Sequence, residues 1–183
     1  DRFPNSAHLK FFKAMALDEL GVSGEALNLL ESAISGGEYQ AHAFELYAQI
    51  SARCGFTDKS LALLERLLEN AATAAQKARL LRIIFSLHMS RDPESPRLLE
   101  ICQRYGEVNN RDSEEEEASY LHQFFAATMK VKPTEEQAQT FRNRLEQFRN
   151  NFPDSSLLRQ VRMDKTDPAS LVEQLERLTG INE

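Results

Sequence analysis

Tryptophan is absent from this chain of 183 residues, and glycine and proline are scarce, at seven and six. Those few breakers fall between apolar-periodic segments rather than inside them, a pattern that suits helices joined by short connections. No uncharged apolar run approaches the roughly 18 residues needed to cross a bilayer, so membrane insertion is not expected. Glycine-rich phosphate loops, HExxH, GxSxG and spaced metal-ligand clusters do not occur. With almost no β pattern on which to mount an α/β active site, a non-catalytic chain with no cofactor and no metal is expected. Cys54 and Cys102 stand alone without CxxC spacing. They read as semi-buried thiols of a reducing compartment, which favours a cytoplasmic location. The chain opens Asp1-Arg2-Phe3, with neither an initiator Met nor a signal pattern, and so reads as a fragment of a longer protein.

What is present is enough for a folded core: 42% hydrophobic and 27% charged residues. The net charge of −6 argues against a general nucleic-acid binder. Its distribution is uneven, with Lys/Arg against Asp/Glu at 13 to 19 for residues 1–129 but 8 to 5 for 130–165.

Leu9, Phe12, Ala16 and Leu20 recur at helical spacing and end at Gly21. A second helix carries Ala26, Leu27, Leu30, Ala33 and Ile34, with Ser23 as its expected cap. A third carries Ala43, Phe44, Tyr47, Ile50 and Cys54, ended by Gly55, and a fourth, with Thr57 as cap, carries Leu61, Leu64, Leu67 and Leu68. Helix, glycine, helix, twice over, makes two αα-hairpins. Gly21 and Gly55 lie 34 residues apart, as do Ala26 and Ser60, Leu30 and Leu64, and Ala33 and Leu67.

A 34-residue period with two helices per unit resembles the tetratricopeptide repeat family. The stretches "GVSGEALNLLESAI" and "GFTDKSLALLERLL" look like that family's small-residue turn followed by its second helix. The likeness is degenerate: the family's tryptophan position holds Lys10 or Phe44, and its glycine position Ala14 or Ala48. Further along, a long helix is expected over 72–90, and Asp92-Pro93 and Ser95-Pro96 both look like helix starts. Ser113 with Glu116, and Thr134 with Gln137, read as capping boxes for two more helices. That gives eight helices between Phe3-Pro4-Asn5-Ser6 and Phe152-Pro153-Asp154-Ser155, two marks that each pair a helix stop with the next cap. The fold class expected is all-α. The resemblance implies a right-handed superhelix of four hairpins over 1–153 (4–36, 38–70, 72–108, 113–152), with 154–183 a capping region or lead into another domain.

Several features tempt a sharper reading. His8 and His42, and His88 and His122, are each 34 apart. Stacked units hold equivalent positions about 10 Å apart, too far to share an ion. The SEEEE run at 113–117 suits a helix start, where acids meet the positive end of the helix dipole. Phe141, Leu145, Phe148 and Phe152 fall at i, i+4, i+7 and i+11, a core stripe rather than a base-stacking one. Arg142, Arg144, Arg149, Arg159, Arg162 and Lys165 with these aromatics suggest a basic strip for RNA; with the aromatics assigned to the core, Arg142 and Arg149, seven apart on one face, leave a modest basic patch.

The resemblance further implies a concave surface lined by the first helix of each hairpin. His8, Phe11 and Met15 would face it from the first, His42, Glu45 and Gln49 from the second, and Gln76, Arg79 and Ile83 from the third. The family's carboxylate clamp needs Lys and Asn where this chain has Phe11, Met15, Glu45 and Gln49, so that activity is not expected. The leading expectation is a scaffold that holds a partner peptide or helix along this face. The alternatives are a nucleic-acid-associated repeat using Arg142, Arg149, Arg159 and Arg162, or a regulatory or dimerising appendage of an enzyme encoded elsewhere.

Overall fold

The computed structural model describes residues 6–35 and 41–158, with the backbone alone at 41 and 42. Among these residues the chain is all-helical, without a strand. Eight helices follow one another: α1 (Ala7–Glu19), α2 (Ser23–Ser35), α3 (Ala41–Arg53), α4 (Thr57–Glu69), α5 (Ala74–Arg91), α6 (Arg97–Val108), α7 (Glu114–Thr128) and α8 (Glu135–Asn151). Each packs on the next in the chain, and α3 also meets α1 and α5. Residues 1–5 and 159–183, including Arg159, Arg162 and Lys165, lie outside the described residues.

The turns after α1 and α3 have the same construction. Gly21 and Gly55 both adopt φ of 77°, a left-handed conformation that only glycine takes without strain. At the first turn Gly21 N–H bonds Asp18 O at 2.9 Å and Val22 N–H bonds Leu17 O at 2.8 Å. At the second, Gly55 N–H bonds Ala52 O at 3.3 Å and Phe56 N–H bonds Ser51 O at 2.9 Å. This is a Schellman ending, which satisfies the last carbonyls of one helix while reversing the chain. Ala26, Ser60, Leu30 and Leu64, four positions of the 34-residue pattern, are fully buried.

The caps follow expectation in part. Thr134 and Gln137 form a full capping box, Gln137 N–H to Thr134 Oγ1 at 3.2 Å and Thr134 N–H to Gln137 Oε1 at 2.9 Å. Ser113 accepts from Glu116 N–H, but the Glu116 carboxylate reaches Asn110 N–H at 2.6 Å, so that box is half-made. Ser23 and Thr57 are not caps. They are the first residues of their helices; Phe56 holds the N-cap position of α4, and Ser23 Oγ donates to Asp18 at 2.9 Å. After Pro153, Leu157 N–H bonds Ser155 Oγ at 3.3 Å and a new helical turn begins at 156.

Two further parts of the sequence reading are corrected. On α1 the apolar stripe of Leu9, Phe12, Ala16 and Leu20 faces solvent, and Ala7 and Ala14 on the opposite side are the buried residues. The physical reason is that α1 is apolar on both sides and its neighbours lie on the alanine side. The second correction concerns Arg144, which is no part of a basic surface strip. Its side chain is buried between α6, α7 and α8. Nε donates to Glu117 Oε1 at 2.7 Å, Nη1 to Gly106 O at 2.9 Å, and Nη2 to Asn109 Oδ1 at 2.9 Å and to the other Glu117 oxygen. Asn109 Nδ2 donates to Glu117 Oε2 at 2.8 Å, and the guanidinium lies 3.7 Å from the centre of the Tyr120 ring. Each of the three guanidinium nitrogens has at least one acceptor, the condition under which a buried ion pair is tolerated. Around it Phe124 stacks on Phe141 with centroids 4.7 Å apart, and Phe148 meets Phe152 at 5.2 Å. Those aromatics belong to the core.

Candidate functional site

Glu45 and Gln49 are one turn apart on α3, and Arg79 and Ile83 one turn apart on α5. Because α3 and α5 pack side by side, the two pairs face one another across a groove. These four expected groove residues line one concavity of about 350 Å³, together with Arg82, Ser86, Leu87 and Ser90 of α5. Ala48 and Ala52 keep the α3 side low, and Gln123 of α7 closes one end. The floor is apolar, with Ile83 and Leu87 buried, while Glu45, Gln49, Arg79 and Arg82 stand exposed at the rim.

The polar groups of this groove are not saturated. The Gln123 side chain is 9% exposed, and its Oε1 has no hydrogen-bond partner among the described residues. An unmet buried carbonyl costs about 1–3 kcal/mol. Among the described residues neither Arg79 nor Arg82 pairs with a carboxylate. A ligand with hydrogen-bonding groups and negative charge would therefore find idle partners here. Arg82 and Gln123 escape sequence reasoning for different reasons. Arg82 is legible as a neighbour of Arg79 at i+3, whereas Gln123 arrives from a helix outside the hairpins that carry the rest.

The other expected groove residues are elsewhere. Gln76 is occupied in the Thr73 capping box, its Oε1 accepting from Ala72 N–H at 3.0 Å and Thr73 N–H at 3.1 Å. His8 and Met15 are exposed on α1 and Phe11 is half-buried against the core; none lines this groove. The His42 side chain lies outside the described residues.

Two further hollows compare poorly with the groove. One of about 600 Å³ lies between the two Schellman turns, lined by Gly21, Val22, Tyr47, Phe56 and Lys59 among others. Two of its polar groups are already engaged, Lys59 with Glu31 at 2.7 Å and Ser23 with Asp18 at 2.9 Å. The other, about 370 Å³ on α8, brings Arg142 and Arg149 together with Glu146 between them. Among the described residues no group of three or more His, Cys, Asp or Glu is placed to hold a metal ion. Cys102 is fully buried, and burial pushes its thiol up to about 12, which leaves no thiolate for nucleophilic work. His88 is also buried, and burial pulls its pKa down, so it stays neutral at pH 7. No helix among the described residues is long and apolar enough to cross a membrane.

No known protein family, curated protein or solved structure matches the chain.

Proposed function

We propose that this chain is a non-catalytic protein-interaction scaffold, a tetratricopeptide-like superhelix whose α3–α5–α7 groove holds a peptide or helix of a partner protein. The matched turns 34 residues apart, and the contacts of α3 with both α1 and α5, support the superhelical reading. The observation that carries the binding role is the groove's chemistry. An apolar floor at Ile83 and Leu87 lies beside a Gln123 carbonyl that has no hydrogen-bond partner, and Arg79 and Arg82 cations that have no carboxylate, among the described residues. Burial of an apolar side chain on that floor would supply affinity, and the polar groups would fix register.

The test is capture of partners from nuclease-treated lysate by this chain and by a Glu45→Ala, Gln49→Ala, Arg79→Ala variant. These residues are exposed, so the variant should fold normally. A protein partner that survives nuclease and is lost with the variant is the expected result. Partners that disappear with nuclease and ignore the groove changes would overturn it. They would favour instead the second reading, nucleic-acid contact through Arg142 and Arg149, which the shared hollow on α8 supports. Binding of that kind would weaken steeply as salt is raised.

A further inference from the structure

Arg79, Arg82, Ile83, Ser86, Leu87 and Ser90 follow one another at i, i+3, i+4, i+7, i+8 and i+11, a single face of α5, and all of them line the groove. The arginines occupy the first half of that helix, and the buried Ile83 and Leu87 the second. Two cations against the one carboxylate of Glu45 give the lining a positive surplus, in a chain whose net charge is −6. Side chains three positions apart on a helix are neighbours, so both guanidinium groups can reach one anion, and like charges so placed repel until an anion is bound. Arg53, Arg91, Arg104 and Arg144 already meet carboxylates; among the described residues Arg79 and Arg82 meet none.

Resting on the scaffold reading above, we propose that the partner segment held by this groove is acidic: one Asp or Glu side chain seated between Arg79 and Arg82, beside one apolar side chain on Ile83 and Leu87. At 1.5 Å per residue, the middle of the arginine pair lies about 7 Å along α5 from the middle of the apolar pair. Two residues of extended chain cover roughly that distance, as do four of a helix. The acid and the apolar anchor of the partner therefore stand two positions apart in an extended segment or four apart on a helix. Glu45 across the groove disfavours a run of acids. Gln123 supplies a third contact. Its side chain is 9% exposed at the groove's end, and its Oε1 lacks a donor among the described residues, which an N–H of the partner would provide.

The test is selection of randomised linear peptides, displayed on phage, against the whole chain. The expected result is enrichment of Asp or Glu two or four positions from Leu, Ile, Met or Phe. A variant with Arg79→Glu and Arg82→Glu changes two exposed positions that hold no carboxylate among the described residues, so it should keep the wild-type circular dichroism spectrum. It should select Lys or Arg at the same spacing instead. Replacing the acid of a selected peptide by its amide should weaken binding to the wild type about tenfold, read by fluorescence anisotropy. Peptides with no preference for an acid, or an acid preference that survives the two charge reversals, would overturn the acidic partner. If such peptides are lost with the Glu45→Ala, Gln49→Ala, Arg79→Ala variant, the groove still binds and the scaffold reading stands. A wild-type chain that selects no peptide would also overturn the acidic partner, and lysate capture would then decide separately whether the scaffold reading falls with it.

Discussion

Between α1 and α4 the helices meet through Ala26, Leu30, Ser60 and Leu64, and the charged pairs stay outside, as with exposed Arg53 on Asp18 at 2.5 Å. Between α6 and α8 the order is inverted: a cation and an anion lie in the middle, and tyrosines and phenylalanines surround them. The first arrangement spreads its stabilisation over many small apolar contacts, none indispensable. The second concentrates it at Arg144, whose removal would leave Glu117 charged and without its partner. A surface pair is screened and contributes little; a buried pair gains little over an apolar substitute but costs much when halved.

The sharpest way to break that comparison is to halve the buried pair. Glu117→Ala should lower the unfolding free energy by about 3–5 kcal/mol, read from urea denaturation, because it leaves Arg144 buried without its anion. Replacing both Glu117 and Arg144 by Met should cost less than either single change, which a double-mutant cycle would reveal. Additive losses would mean that the two charges are not coupled.

Two alanine substitutions sharpen the contrast further. At Gly106 a Cβ would sit 2.6 Å from Arg144 Nη1 and 2.8 Å from Tyr120 Cε2, so Gly106→Ala should cost about 1–3 kcal/mol through overpacking. That loss should shrink when Arg144 is already Met. At Gly55 nothing lies within 4 Å of the added atom, and the penalty comes from the backbone φ of 77° alone. Gly55→Ala should therefore cost about 1 kcal/mol, and no substitution of a neighbouring side chain should relieve it. Equal and equally unrelieved losses at the two sites would erase the distinction between the regions.

The sequence made the regular region legible because its determinants are local. Glycine at a left-handed turn and leucines at helical spacing describe a helix pair without reference to anything distant, and Thr134 with Gln137 is a cap within four residues. The α1 stripe misled because periodicity identifies an apolar face, not the neighbour that covers it. When a helix has two such faces, spacing does not choose between them. Arg144 and Glu117 are 27 positions apart, and the acidic run that begins α7 explains Glu117 well enough to conceal it. One signal was available. Glu117 shares a stripe with Tyr120, Leu121 and Phe124, and Arg144 shares one with Phe141 and Phe148. Opposite charges, each set within the apolar face of neighbouring helices, describe a buried pair. Half of the groove was readable in the same way, from residues one turn apart on α3 and α5. Gln123 was not, because it enters from α7 through packing that no local pattern records.

The crowding at Gly106 also constrains the order in which this protein can change over generations. An alanine there is penalised while Arg144 and Tyr120 crowd the place its methyl would take. If a lineage first exchanged Arg144 for a smaller apolar residue, the crowding at position 106 would shrink to that with Tyr120, and an alanine acquired there would obstruct the arginine's return. The loss is then a ratchet, passable in one direction, joining two positions 38 residues apart into a single heritable unit.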